Sequence, residues 1–141
     1  MKIEDTAVVV VRDNEGKILL EKRGGRVFRG WWCVPGGHAD KGEAPEQAAQ
    51  REAKEEIGQV KVEGKPFMIF VHDWPADSHI KEPHQHRLHA FMAKVTGKLR
   101  PGSDAAELGW FTQEEAKKLR ITDYTKTVLN HIDKKNEKGR E

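Results

Sequence analysis

The sequence holds a single cysteine, Cys33, so no internal disulfide can form, and nothing else in it asks for an oxidising compartment. Long apolar runs are missing too. The five residues "AVVVV" at 7–11 are as long as any, far short of a membrane span. The opening "MKIEDT" has no hydrophobic segment of a signal peptide, and a cytoplasmic protein is the expectation. Nor does charge of one sign dominate. The 25 basic and 23 acidic residues leave a net charge of +2, mixed along most of the chain, so no global field favours nucleic acid or a membrane. Any site for a polyanion must be local. There is no internal repeat and no low-complexity linker. What remains is a chain of 141 residues with 34% charged and 36% hydrophobic side chains, the composition of one folded domain. That domain is expected over 1–134, with a solvated tail over 135–141.

The stretch "TAVVVVRDNEGKILLEKR" holds two apolar, partly β-branched runs around a turn-forming "DNEG", which predicts a hairpin from about Thr6 to Arg23. A basic, glycine-bounded loop, "GGRVFRG", leads into a short strand in "WWCVPGG" and then the polar loop "HADKGE". Pro45 suits the first position of a helix and Gly58 its C-terminal cap. Two more strands are expected in "KPFMIFVHDW" and "HRLHAFMAKVTG", separated by a loop over about 73–85. "LGWF" reads as a short strand, "TQEEAKKL" as a helix opened by a capping box, and a last amphipathic helix is expected from about Asp123 to Lys134. Strands with interspersed helices but no regular βαβ alternation predict a mixed sheet covered by helices.

The helix over 45–57 has an unusual end. A helix C-terminus is a partial negative pole that favours basic side chains, yet "QREAKEEIGQ" places Glu52, Glu55 and Glu56 there. At 100° per residue, with Glu52 at zero, Ala49, Ala53 and Ile57 fall at about 60–140°, a small-residue core stripe. Gln47, Gln50 and Lys54 fall at about 160–220°, the water side. The three glutamates form one patch beside the core stripe, at spacings where like charges repel. A solvated acidic face would sit with Gln50 and Lys54, and would carry lysines at i+4 from Glu52 and Glu55. A hard dication such as Mg²⁺ or Mn²⁺, which takes carboxylate and carbonyl oxygens, resolves the conflict.

Read outward, "GGHADKGEAPEQAAQREAKEEIGQ" resembles the signature of the Nudix hydrolase family, MutT-like enzymes. Gly37, Glu43, Arg51, Glu52, Ala53, Glu55, Glu56 and Gly58 match it with every spacing kept. Seven fixed residue types at such offsets arise by chance on the order of once in a million chains of this length. Gln59 stands where the family has an aliphatic residue, with Val60 following. The resemblance implies a Nudix-type α/β/α sandwich with a mixed central sheet and a catalytic loop-helix-loop. It implies that Glu52, Glu55 and Glu56 hold Mg²⁺ or Mn²⁺ with the Gly37 carbonyl. Arg51 and Glu43 would support the loop through a salt bridge, and Arg51, Glu52 and Glu55 would serve the reaction. The reaction implied is hydrolysis of a phosphoanhydride in a nucleotide.

Arg23, Arg26 and Arg29, before the metal loop, are candidates to meet a diphosphate. Phe28, Trp31 and Trp32 could stack on a base, although aromatics beside a strand are more often core. Relatives often draw a second general base from a loop before the late Trp-containing strand. Asp104 and Glu107 are available there, with Glu107 favoured for its closeness to Trp110. Five histidines fall between His72 and His89, but their spacing matches no closed structural zinc site, and a loop over the substrate mouth is the expectation. Pro75 lies near an offset where relatives that cleave ADP-ribose often carry a proline, which tilts the substrate towards ADP-ribose. The alternatives are a MutT-type triphosphatase, including one acting on oxidised nucleotides, and a non-catalytic nucleotide- or RNA-binding module. Isoprenoid diphosphate isomerase chemistry would need an activated cysteine, and Cys33 on a strand reads instead as a small buried hydrophobe. The resemblance allows a homodimer, which no exposed stripe compels.

Overall fold

The computed structural model describes residues 2–102 and 105–140, with side chains through Asp133. In chain order the elements are β1 (Ile3–Val11), β2 (Ile18–Arg23), β3 (Trp32–Cys33), β4 (Gly36–His38), α1 (Pro45–Glu56), β5 (Gly58–Val62), β6 (Met68–Trp74), β7 (His84–Leu99), β8 (Ala105–Phe111), α2 (Gln113–Lys118) and α3 (Asp123–Arg140).

The run "AVVVV" makes β1 a strand buried on both faces, since Ala7, Val9 and Val11 enter one core while Val8 and Val10 enter the other. Both its edges are taken. It runs parallel to β7, from Ile3 opposite Gln85 to Val11 opposite Ala93, and antiparallel to β4, from Thr6 opposite His38 to Val8 opposite Gly36. The other edge of β7 carries β6 along its first half and β5 along its second. The sheet is therefore mixed. A smaller antiparallel sheet sets β2 between β3 and β8.

The expected hairpin from Thr6 to Arg23 does not form as one. The "DNEG" turn is present, with the Asp13 amide bonded to the Lys17 carbonyl and Asp13 Oδ1 accepting the Lys17 amide, but only Arg12 and Ile18 bridge the strands. Because β4 and β7 occupy both edges of β1, β2 departs into the second sheet. The strand β5 is also absent from the sequence reading. Its "GQVKV" has just two β-branched residues, and it forms because β7 offers it a free edge.

Helix α1 begins at Pro45 and ends at Glu56, with Gly58 beyond its cap at φ 110°. A Cβ on Gly58 would stand 2.6 Å from the Lys98 carbonyl oxygen, so both its conformation and its contact require glycine. Ala49, Ala53 and Ile57 are fully buried, as the helical periodicity predicts, and so is Ala48, which falls within the arc of the glutamates. The buried face therefore spans the acidic patch itself. On the other side of the sheets, Tyr124, Val128, Leu129 and Ile132 of α3 cover Val8, Val10, Ile18 and Leu20. The two helices enclose the strands as α/β/α layers. Thr112 and Glu115 exchange the two hydrogen bonds of a capping box at α2, and α3 begins at Asp123 but continues past Lys134 to Arg140.

Candidate active site

Because α1 lies flat on the sheet, its acidic patch points into the angle between helix and strands. Glu56 is buried at 4% exposure, Glu52 is half-buried, and Glu55 turns outward. Arg51 organises this group. Its Nε and Nη2 donate to the two carboxylate oxygens of Glu43 at 2.9 and 3.0 Å, Nη2 also donates to the His38 carbonyl at 2.9 Å, and Nη1 donates to Glu52 at 3.0 Å and Glu55 at 3.3 Å. The Glu43–Arg51 pair thus ties the loop to the helix in bidentate form. Its hydrogen bonds from Arg51, then from the Asp40 amide, hold the Glu43 carboxyl down at about 2.

The Glu52 carboxylate rests against Gly37, where a Cβ would stand 2.5 Å from its Cδ. A side chain there would displace the Glu52 carboxylate. Across from α1, Glu21 of β2 is 5% exposed, and burial first, then the charge of Glu56, pushes its carboxyl well above the usual range. Glu21, Glu52, Glu56 and Gly37 line one wall of a cavity of about 920 Å³. Carboxylates buried this close, beside a backbone cradle that a methyl would fill, form an oxygen donor set suited to a hard dication.

The rest of the wall differs in chemistry. Arg23 and Arg26 line it, with Phe28, Trp74, Pro75 and Tyr124. Arg23 Nε donates to the Val27 carbonyl at 2.8 Å and Nη1 to the Tyr124 hydroxyl at 3.4 Å, while the guanidinium sits 5.4 Å over the Trp74 ring. Phe28 holds φ 52°, uncommon for an aromatic residue, and packs edge-on against Trp31 and Trp74 at 5.4 and 5.3 Å. Basic and aromatic residues lining the same cavity as the carboxylates suit a nucleotide, with a stacking surface for its base and cations for its phosphates.

Not every candidate reaches this cavity. Trp31 lies under Arg120 at 4.6 Å and Trp32 packs on Phe111 at 5.0 Å, so of the three base-stacking candidates only Phe28 lines the wall. Arg29 is not among the lining residues. Glu107, the favoured general base, lies opposite Lys22 in the β2–β8 ladder, ion-paired to it at 3.6 Å and off the cavity wall, while Asp104 lies outside the described residues. Glu21 and Trp74 occupy the wall instead. Glu21 had a sequence signal: in "ILLEKR" it is an acid two residues after Leu19, on the same side of a strand whose apolar neighbours are buried. Cys33 is fully buried, and burial pushes its thiol up to about 12, so it offers no nucleophile.

The chain resembles known proteins along most of its length. The family model described as NUDIX domain matches residues 2–131. The chain is 32% identical over 133 residues to the ADP-ribose pyrophosphatase of Methanocaldococcus jannaschii, covering 92% of this chain and 74% of that one. It is 39% identical over 75 residues to the 8-oxo-dGTP diphosphatase of Haemophilus influenzae, covering 52% of this chain and 55% of that one. The crystal structure of a MutT NUDIX hydrolase from Burkholderia pseudomallei superposes with a TM-score of 0.77 at 25% identity, over 92% of this chain and 98% of that one. With Glu52 and Glu56 on the cavity wall and the family match running nearly end to end, this chain belongs to the Nudix hydrolases and is a pyrophosphohydrolase of that family.

Proposed function

We propose that the enzyme uses Mg²⁺ or Mn²⁺ to split the phosphoanhydride of a nucleoside diphosphate linked to a second group, with ADP-ribose as its substrate. One observation carries the reading: the carboxylates of Glu21, Glu52 and Glu56 line one cavity together with Arg23, Arg26, Phe28 and Trp74. Glu52, Glu56 and the Gly37 carbonyl would hold the ions, with Glu55 completing the set from the outer side. Bound there, the ions supply charge neutralisation of the phosphates and a water acidic enough to attack near neutral pH.

The remaining roles belong to the protein. Arg51 holds Glu52 and Glu55 in place through Nη1 and anchors the 38–43 loop through Nη2, so it acts as a positioning residue. Arg23 and Arg26 would meet phosphate oxygens, and Phe28 with Trp74 would stack on the base and keep water off it. The identity to an archaeal ADP-ribose pyrophosphatase over most of the chain supports ADP-ribose, as does Pro75 on the cavity wall. The second reading, a triphosphatase of the oxidised-nucleotide type, draws on the shorter match to an 8-oxo-dGTP diphosphatase.

Product analysis separates them. Incubation with magnesium should turn ADP-ribose into AMP and ribose 5-phosphate at a higher kcat/KM than it turns 8-oxo-dGTP into its monophosphate and pyrophosphate. The reverse order would select the second reading, and no turnover of either would refute both.

A further inference from the structure

Beside the same cavity a second group of donor atoms converges, and none belongs to the glutamates of α1. Glu4 comes from β1, Asp77 from the loop between β6 and β7, and His84 and His86 from one face of β7. Their ligand atoms all lie within 4.8 Å of one another. Glu4 Oε1 is 3.2 Å from His84 Nε2 and 3.6 Å from His86 Nε2, Asp77 Oδ2 is 3.7 Å from His84 Nε2, and the two imidazole nitrogens are 3.1 Å apart. His38 of β4 adds its Nε2 at 3.4 Å from Glu4 and 3.8 Å from Asp77. His84 and His86 are 1% and 4% exposed.

The orientation of each donor is set from behind. His84 Nδ1 lies 2.9 Å from the Glu82 carbonyl, which can only accept, so Nδ1 carries a proton and Nε2 is the nitrogen that faces inward. Asp77 Oδ1 accepts the backbone amides of His79 and Ile80, both at 2.8 Å, and this turns Oδ2 inward. Asp77 Oδ2, Glu4 Oε1 and His38 Nε2 are buried without a hydrogen-bond partner among the described residues. Hydrogen bonds do not resolve such a cluster, because the single inward nitrogen of His84 faces one imidazole nitrogen and two carboxylate oxygens.

A metal ion does resolve it. Zinc bonds of about 2.0–2.1 Å in tetrahedral geometry give ligand-to-ligand edges of roughly 3.4 Å, within the spread of separations found here. Two imidazoles with two carboxylates select a first-row transition ion over magnesium. We propose that Glu4, Asp77, His84 and His86 form a second metal centre, separate from the Nudix glutamates, that takes one transition dication with zinc as the preferred ion. His38 flanks it as a further donor. The centre ties β1 and the 75–83 segment to β7 and thereby fixes the side of the cavity that Pro75 and Asp77 line. It does not depend on which nucleotide is cleaved.

The test is metal retention by the full-length protein. The chain is stripped with chelator, reloaded with zinc, desalted and assayed by elemental mass spectrometry, with visible absorption of the cobalt-loaded form reporting nitrogen-containing coordination. One equivalent of zinc should be retained by the native chain and by Glu56→Gln. His84→Ala and Asp77→Ala should weaken retention by about 100-fold or more. Failure of the native chain to retain zinc overturns the proposal. Loss of zinc in Glu56→Gln with full retention in Asp77→Ala also overturns it, since that would place the ion among the α1 glutamates. Should His84→Ala fail to fold, Asp77→Ala decides alone.

Discussion

Two ligand-rich regions border one cavity, and they are assembled in opposite ways. The acidic region takes Arg51, Glu52, Glu55 and Glu56 from two turns of a single helix, so helical periodicity alone brings them together. The histidine region takes one residue each from β1, β4 and the 75–83 segment and two from β7. What joins those is strand register: Glu4 pairs with His86 across the parallel β1–β7 ladder, Trp74 with His84 across β6–β7, and Thr6 with His38 across β1–β4. The chemistry differs accordingly. One region offers hard oxygen donors steadied by an arginine, and the other mixes imidazole with carboxylate and is steadied by backbone amides and a carbonyl.

Substitutions that separate the regions sharpen this contrast. The largest effect is expected from Glu56→Gln, which should lower kcat by roughly 10²–10³-fold, since a metal ion supplies several kcal/mol to such a step. Zinc retention should be untouched. If steady-state kinetics with saturating magnesium show native turnover, the glutamate wall is not where the reaction occurs.

Arg51→Ala should cost less, about 10–100-fold in activity, because it acts through Glu52 and the 38–43 loop rather than on the substrate. Crystallography or NMR of this variant should find Glu43 detached from α1. An unchanged loop position would remove Arg51 from the positioning role.

Acid stability gives a smaller and more local signal. The folded Glu43 carboxyl, held at about 2, lies below the value near 4.3 of an unfolded chain, so proton uptake favours unfolding. Its contribution is complete above about pH 4.3 and is lost as the pH falls through about 2. Glu43→Gln should flatten that part of the urea-denaturation profile, and an identical acid limb would show that the pair adds nothing to stability. Smallest of all, Glu107→Gln should change kcat by no more than about twofold, a surface-substitution effect within ±0.5 kcal/mol. A large drop would return the general base to β8, away from the wall where Glu21 stands.

These expectations divide along a line visible in the residues. Helix α1, its proline start, its glycine end and the buried alanines were legible because they rest on contacts a few residues apart. So was the Glu43–Arg51 pair, eight residues apart, once the family signature was recognised. The departure of β2 from β1 was not legible, since it depends on β4 and β7 occupying both edges of β1. Glu21 and Trp74 were passed over for the same reason: their neighbours on the wall, Glu56 and Arg23, come from other elements. Closeness of Glu107 to Trp110 along the chain says nothing of which side of β8 meets the cavity, and in the fold Glu107 pairs with Lys22.

By itself, then, the amino-acid order determined a helix with a carboxylate cluster at its negative pole, and with it the expectation of a dication and a phosphoanhydride. Spacing along a helix converts directly into spacing in space, so no other part of the chain was needed. Only the tertiary structure decided which walls face that cluster, that Glu21 joins it, and that Glu4, Asp77, His84 and His86 meet at all. Those contacts follow from the pairing and register of strands distant in sequence, and a shift of one residue would turn Glu4, Glu21, His84 and His86 to the opposite face.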